Sequence, residues 1–215
     1  MTKPEKPHLS YPSDLLDISK AMAFYERFTL VAVRDKAALR RIHGFEGTAI
    51  VSPGDWELFV AILTRQMKAR NTYGHDLQYA EVKSASGKTK SFEYQYHRMG
   101  GRKKLESETA IDHIFINVWG ALENMVVRVV SGERLHEDFM AFQAGLEQAY
   151  PEAKAGETVS SRQRYRPHIS FERVQAEGKV LLEVEAGRLK SSSAESLERL
   201  FHHRRWDDPG LLEKH

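Results

Sequence analysis

The run Asp76-Leu-Gln-Tyr-Ala-Glu81-Val-Lys83 sets two carboxylates and one ammonium within eight residues, in a segment that otherwise reads as buried β-strand. Strand side chains alternate faces, so Glu81 and Lys83 point the same way, roughly 6–7 Å apart, while Val82 points into the core. Mg2+ takes oxygen ligands at about 2.0–2.1 Å, keeps several waters, and needs only one or two carboxylates to hold it beside a phosphate. Asp76 and Glu81 are the expected metal ligands, with the Val82 carbonyl as a further oxygen. Lys83 is suited to steer an attacking water, lower its pKa, or stabilise charge developing on the phosphate. Metal and lysine together allow in-line hydrolysis of a phosphodiester without a covalent intermediate.

One geometric condition attaches to this set. Asp76 and Glu81 are five positions apart, so on a continuous strand they face opposite ways, about 16 Å from each other. They share a metal only if the chain bends between them. Gly74 eases the approach to Asp76, but no glycine separates the two acids. Glu57, on the helix before this segment, is the next acid expected to face the site, in place of Asp76 or beside it.

The elements that must position these residues follow from periodicity and capping. Leu15, Ile18, Met22 and Tyr25 recur at helical spacing from Ser13 to Phe28, with Ser13 as N-cap, and a second helical stretch runs from Asp35 to His43. Ser52-Pro53-Gly-Asp55 opens a helix with apolar residues Trp56, Phe59, Val60 and Leu63, predicted to extend to about Arg70. Strand is predicted for Leu77–Ser84, then an alternating stretch at Phe92, Tyr94 and Tyr96, a short basic helix Arg102–Glu108, and strands Ile111–Trp119 and Met125–Val130. Gly132–Tyr150 reads as helix. Strands Tyr165–Val174 and Lys179–Ala186 flank a hairpin turn at Glu177-Gly178, and a helix from Ser192 to about Trp206 follows. The only long loop expected is Ala153–Ser161. This order predicts one α/β domain over 1–215, a mixed central β-sheet flanked by helices. Within it, 1–50 is a helical part suited to dimerisation, 52–150 the catalytic core, and 160–215 a region of strands and helix available for DNA contacts.

Composition bounds the reading. The 215 residues are 41% hydrophobic and 29% charged, ordinary for a globular domain. Cysteine is absent, which excludes disulfides, thiolate metal sites and cysteine nucleophiles. No apolar stretch approaches a membrane span and the polar start lacks a signal-peptide core, so an intracellular, cytoplasmic protein is expected. Ten Lys/Arg face three acids between Arg65 and Lys104, a local net of +7 that leaves −5 for the rest of a chain whose total is +2. Positive charge around a carboxylate pair points to a polyanionic ligand, nucleic acid foremost.

Asp76…Glu81-Val-Lys83, preceded by a helix bearing Glu57, resembles the acidic-acidic-lysine signature of the PD-(D/E)xK nuclease superfamily. The string Glu-Val-Lys-Ser-Ala-Ser-Gly, followed by Ser-Phe-Glu-Tyr-Gln-Tyr-His, is similar to type II restriction endonucleases in particular. The resemblance implies a restriction-endonuclease-like fold, Mg2+-dependent cleavage of double-stranded DNA at a short specific site, and a homodimer. Two departures stand: the gap between Asp76 and Glu81 is shorter than the family usually has, and His75 occupies the place of the proline.

Other constellations fit around this one. Gln95, His97 and Arg98 follow closely and are suited to phosphates or base edges, while Tyr94 and Tyr96 are given to packing. Arg102, Lys103 and Lys104 are expected at backbone phosphates. Arg162, Arg164 and Arg166, spaced by two on a strand, put three guanidiniums on one face. Two alternatives remain. His8-Leu-Ser10 and His168-Ile-Ser170 resemble the paired signature of the 2H phosphoesterases, which implies metal-independent cleavage of RNA. The basic patches alone would serve a non-catalytic DNA-binding module. The adjacent pair His202-His203 diverges on a helix and makes a poor chelate.

Overall fold

A computed structural model describes residues 16–44, 51–69, 75–87, 91–151 and 163–193. Helix α1 (Ile18–Phe24) is capped by Asp17, whose carboxylate accepts the Lys20 N–H at 3.1 Å. It continues through a π-helical stretch, Tyr25–Val31, into α2 (Ala32–Ile42). The two helices expected here are thus one run, because no glycine or proline interrupts the segment between them. Ser13 lies outside the described residues. The buried Tyr25 donates its hydroxyl to the Leu122 carbonyl, fixing this run to the sheet. Its far end is unlike its start: Leu39 and Ile42 are 58% and 76% exposed.

Helix α3 (Pro53–Thr64) forms where its capping box predicts. Ser52 Oγ accepts the Asp55 N–H at 3.1 Å, and the Asp55 carboxylate accepts the Ser52 N–H at 3.2 Å. Trp56, Phe59, Val60 and Leu63 are all buried. The helix ends at Arg65, in the left-handed region at φ 54°, and does not reach Arg70. Gln66 closes it by donating its N–H back to the Ala61 carbonyl.

The remaining elements follow in order: β1 (Ala80–Ser86), β2 (Ser91–Glu93), β3 (Tyr96–His97), α4 (Gly101–Glu108), β4 (Asp112–Trp119), β5 (Asn124–Ser131), a 3-10 turn (Gly132–Leu135), α5 (His136–Ala149), β6 (Arg164–Tyr165), β7 (His168–Ser170), α6 (Phe171–Glu177), β8 (Lys179–Glu185) and β9 (Arg188–Ser192). The central sheet has the order β1-β4-β5-β8-β9, with β1 parallel to β4 and the other pairs antiparallel. This is a mixed α/β fold built on a five-stranded mixed sheet.

Both sheet faces are covered, which explains why seven of the eight β4 residues are buried. One face packs Val82, Ile114, Ile116 and Val127 against Tyr25, Phe59 and Leu63 of the N-terminal helices. The other packs Ala85, Phe115 and Val130 against Tyr94, Tyr96, Phe139, Phe142 and Leu146. Parallel pairing sets Glu81 beside His113 and Lys83 beside Phe115, so Glu81 and Lys83 belong to the second face. A parallel pair requires a crossover, and α4 lies within the connection from β1 to β4.

Several expectations are corrected. Strand begins at Ala80, not Leu77, since the chain bends before it. Phe92 and Tyr96 fall in two short strands paired with β7 and β6 rather than in one. The Tyr165–Val174 strand breaks at Ser170, whose side chain accepts the Arg173 N–H at 3.1 Å and so caps α6. Gly178 is consequently the end of a helix and not a hairpin turn. The hairpin lies one strand later, joining β8 to β9 with Ala186 and Gly187 both at positive φ. Ser192 ends β9, and the expected C-terminal helix beyond it, with His202 and His203, lies outside the described residues, as do Ala153–Ser161, Gly74 and His8.

Candidate functional site

The bend that Asp76 requires is present. Residues 66–69 and 76–79 run against each other, with Lys68 bridged to Leu77, the Ala69 N–H donating to the Asp76 carbonyl at 3.2 Å, and the Gln78 N–H to the Met67 carbonyl at 3.0 Å. The Tyr79 N–H adds a bond to the Gln66 side chain at 3.1 Å. Across the turn the Leu77 N–H meets the Ala80 carbonyl at 2.9 Å. Asp76 is thereby folded back along β1. Its carboxylate accepts the Val82 N–H at 2.9 Å, and its own N–H donates to Glu81 Oε2 at 3.2 Å.

This bond also orients Val82. Among the described residues β1 is an edge strand, and the Val82 N–H goes to Asp76, on the side away from β4. In an extended strand a residue's C=O points to the same side as its N–H. The Val82 carbonyl therefore faces the edge that Asp76 lines. Glu57 on α3 is close enough for its charge to act on Asp76, and its own partner is Lys68 at 3.9 Å.

Glu81 is the hub, at 1% exposure. Its Oε1 receives the Lys83 ammonium at 2.6 Å and the Lys104 ammonium at 2.7 Å. Burial opposes the charge on Glu81, but the two ammonium groups outweigh it and hold the carboxyl well below the usual range. Burial likewise opposes the charge on Lys83, and Glu81 with Asp76 outweighs it, so Lys83 is held above an ordinary lysine. Its ammonium also lies 4.8 Å from the centre of the Tyr94 ring. Burial first, and then the Glu81 charge, push Asp76 up to about 6.

Lys104 corrects an expectation. It was predicted at a DNA backbone phosphate, yet it turns inward from α4 with its side chain 16% exposed. Lys104 and Glu108 sit at i and i+4 on the helix that crosses over β1, so both face Glu81. The sequence signal was Lys104-x-x-x-Glu108 around the buried Leu105. His75, His113 and Glu108 were also missed as site residues. His113 was hidden inside the apolar run of β4, where a histidine reads as packing.

His113 is fully buried, and burial pushes it down to about 4, so it is neutral. Its Nε2 lies 2.9 Å from the Glu108 carbonyl oxygen, which only accepts, so the ring proton is on Nε2. Nδ1 then accepts from the Tyr94 hydroxyl at 2.9 Å. The same Glu108 carbonyl is 2.2 Å from where a Cβ on Gly132 would stand, so only glycine fits against the end of α4. Glu108 itself is 0% exposed, and burial followed by the Glu81 charge pushes its carboxyl upward. His75, Glu81 and Glu108 each offer one ligand atom within 4.8 Å of the others.

Several of the residues read as nucleic-acid contacts bond to one another, to neighbouring side chains or to backbone. Gln95 donates to Glu93 at 2.6 Å and accepts from Arg164 at 3.1 Å, while Arg166 reaches Glu93 at 3.2 Å. Arg98 donates to Gln163 at 3.1 Å, and Arg102 to the Tyr150 carbonyl at 3.1 Å. His97 pairs with Arg164 in the β3–β6 ladder, and Lys103 is exposed. Of the three arginines expected on one strand face, Arg164 lies in β6, Arg166 follows it outside the strand, and Arg162 lies outside the described residues. His168 is exposed, its Nδ1 3.2 Å from Ser91 Oγ.

No helix among the described residues is long and apolar enough to cross a membrane. Compared with protein-family models and with the curated proteins, the chain matches none.

Proposed function

We propose that this chain is a Mg2+-dependent endonuclease of the PD-(D/E)xK type, with a restriction-endonuclease-like fold, hydrolysing double-stranded DNA at a short specific site. One observation carries the reading: the bend at 77–80 brings Asp76 back onto the β1 edge beside Glu81, with Lys83 on the same face. Sequence spacing alone set those two acids apart.

The donor set fits a hard cation. Asp76 and Glu81 supply carboxylate oxygens and Val82 a carbonyl on the same edge, with Glu57 within electrostatic reach. Bound there, Mg2+ would polarise the scissile phosphate and lower the pKa of a coordinated water. The chain's own residues do the rest. Lys83 stays protonated, so its role is to donate: it orients the attacking water and stabilises charge on the phosphate rather than removing a proton. Lys104, reaching the same oxygen from α4, keeps Glu81 ionised. Tyr94, held by His113, supports the Lys83 ammonium from below.

Double-stranded DNA as partner is supported by the +7 charge of the Arg65–Lys104 segment, with Gln95, His97, Arg98, Arg102, Lys103, Arg162, Arg164 and Arg166 as its contacts. A homodimer is supported by the exposed apolar side chains Phe28, Val31, Leu39 and Ile42 of the N-terminal helical run. Digestion of unmethylated phage DNA with and without Mg2+ tests the reading. A discrete fragment ladder that appears only with Mg2+ is expected. Binding without cleavage would identify a DNA-binding module, and RNA cleavage surviving chelation and lost in His168→Ala would identify a 2H enzyme.

A further inference from the structure

Glu108 has no task in the chemistry above, yet it occupies the deepest position of the site. Its Oε1 accepts a long bond from the Tyr96 hydroxyl, at 3.4 Å, with the Lys104 ammonium 3.9 Å away. Among the described residues its buried Oε2 has no hydrogen-bond partner, the His113 Nε2 standing 3.6 Å off. Among the described residues His75 Nδ1 is likewise buried without a hydrogen-bond partner. The two atoms face each other at 4.0 Å, and His75 Nδ1 stands 3.9 Å from Glu81 Oε2. None of these separations is a hydrogen bond. Leaving a buried polar atom unpaired is unfavourable, and here an imidazole nitrogen and a carboxylate oxygen share the same gap.

A divalent ion at about 2.0–2.2 Å from each atom fills such a gap after shifts of a few tenths of an ångström. The lysines do not block it, because both ammonium groups lie on the other oxygen of Glu81, Oε1. We propose that His75, Glu81 and Glu108 form an inner cation site for a divalent first-row transition ion, distinct from the Asp76–Glu81 edge and sharing Glu81 with it. The imidazole sets the class of ion: nitrogen ligands suit borderline transition metals, whereas Mg2+ is held through oxygen. Occupation of the two positions is alternative. Fully ionised, Asp76, Glu81 and Glu108 supply three negative charges against the two positive charges of Lys83 and Lys104. One divalent ion then leaves a single positive charge to meet a phosphodiester, and two would leave an excess.

The inner site does not depend on the nuclease reading, and Mn2+ alone, without DNA, tests it. Electron spin echo spectroscopy of the full chain loaded with Mn2+ is expected to show 14N modulation from a directly bound imidazole, lost in His75→Ala. Glu108→Gln is expected to weaken Mn2+ binding at least tenfold by calorimetry, and Asp76→Asn to change it less than threefold. Thermal melts keep the test clear of misfolding: Mn2+ should raise the melting temperature of wild type and Asp76→Asn by clearly more than that of a folded Glu108→Gln, which keeps only the Asp76–Glu81 edge. Mn2+ bound without 14N modulation, or with modulation that persists in His75→Ala, overturns the inner site. If Asp76→Asn alone then abolishes binding, the Asp76–Glu81 edge stands by itself. Absence of any Mn2+ or Mg2+ binding overturns both.

Discussion

The ammonium of Lys104, carried on α4, lies 2.7 Å from Oε1 of Glu81 on β1, although 23 residues separate them in the chain. Lys83 reaches the same oxygen at 2.6 Å. Two cations on one oxygen leave Oε2 of Glu81 to the Asp76 side, which gives the carboxylate two distinct faces. The lysines are therefore not equivalent. Lys83 belongs to the strand that bears the acid and Lys104 to the helix that crosses it.

Under the nuclease reading, Lys83→Met should lower the cleavage rate roughly 10²–10³-fold, the usual effect of removing a donor aimed at developing charge. Lys104→Met should lower it about tenfold and move the acid limb of the pH–rate profile upward, because Glu81 loses one of the two charges holding its carboxyl down. Equal losses with an unchanged profile would remove the distinction.

Glu81→Gln should destabilise the fold by about 3 kcal/mol, since it leaves two largely buried ammonium groups without their shared anion. Urea unfolding at pH 7 with an unchanged m-value measures this. A change within 0.5 kcal/mol, roughly the size of a surface substitution, would mean that the lysines find solvent instead.

Asp76 sets a pH dependence of stability. Its folded value of about 6 lies above the unfolded 3.8, so the folded state retains a proton that the unfolded chain has released. This contribution is complete below about pH 4 and is lost as pH rises through 6. Asp76→Asn should then be more stable than wild type above pH 6, by roughly 2–3 kcal/mol, and the difference should vanish below pH 4. Melting curves from pH 3.5 to 8 check it. Saturating Mg2+ should narrow the gap at high pH, by binding the ionised form.

Ser52→Ala removes the side-chain half of the α3 capping box and should lower stability by about 1 kcal/mol. It stands apart from Glu81 and Lys83, so cleavage per folded molecule should not change. A loss of activity at full folding would show that α3 positions more than the core.

Chelation with EDTA should abolish DNA cleavage, and added Mg2+ should restore it. His168→Ala should leave that activity within twofold, since His168 is exposed on β7 and bonded to Ser91 rather than to the acid–lysine cluster.

The features legible along the chain are those that short-range physics governs. The α3 cap joins residues three apart, and the alternation of β1 puts Glu81 and Lys83 on one face whatever the strand pairs with. The apolar runs of β4 and β5 made them strands in any sheet that covers both faces. Tyr165–Val174 failed for a local reason of the opposite kind: the Ser170 cap outweighed strand propensity in Phe171 and Val174. The site was decided by tertiary structure. No glycine or proline marks the bend that returns Asp76 to Glu81, because the bend is held by bonds to residues 66–69. Lys104 and Glu108 converge on Glu81 only because β1 pairs in parallel with β4, which obliges the chain to cross over and lays α4 above the strand, while His75 arrives with Asp76 on the bend. Those contacts form between residues far apart in the chain, and no spacing within a single segment encodes them.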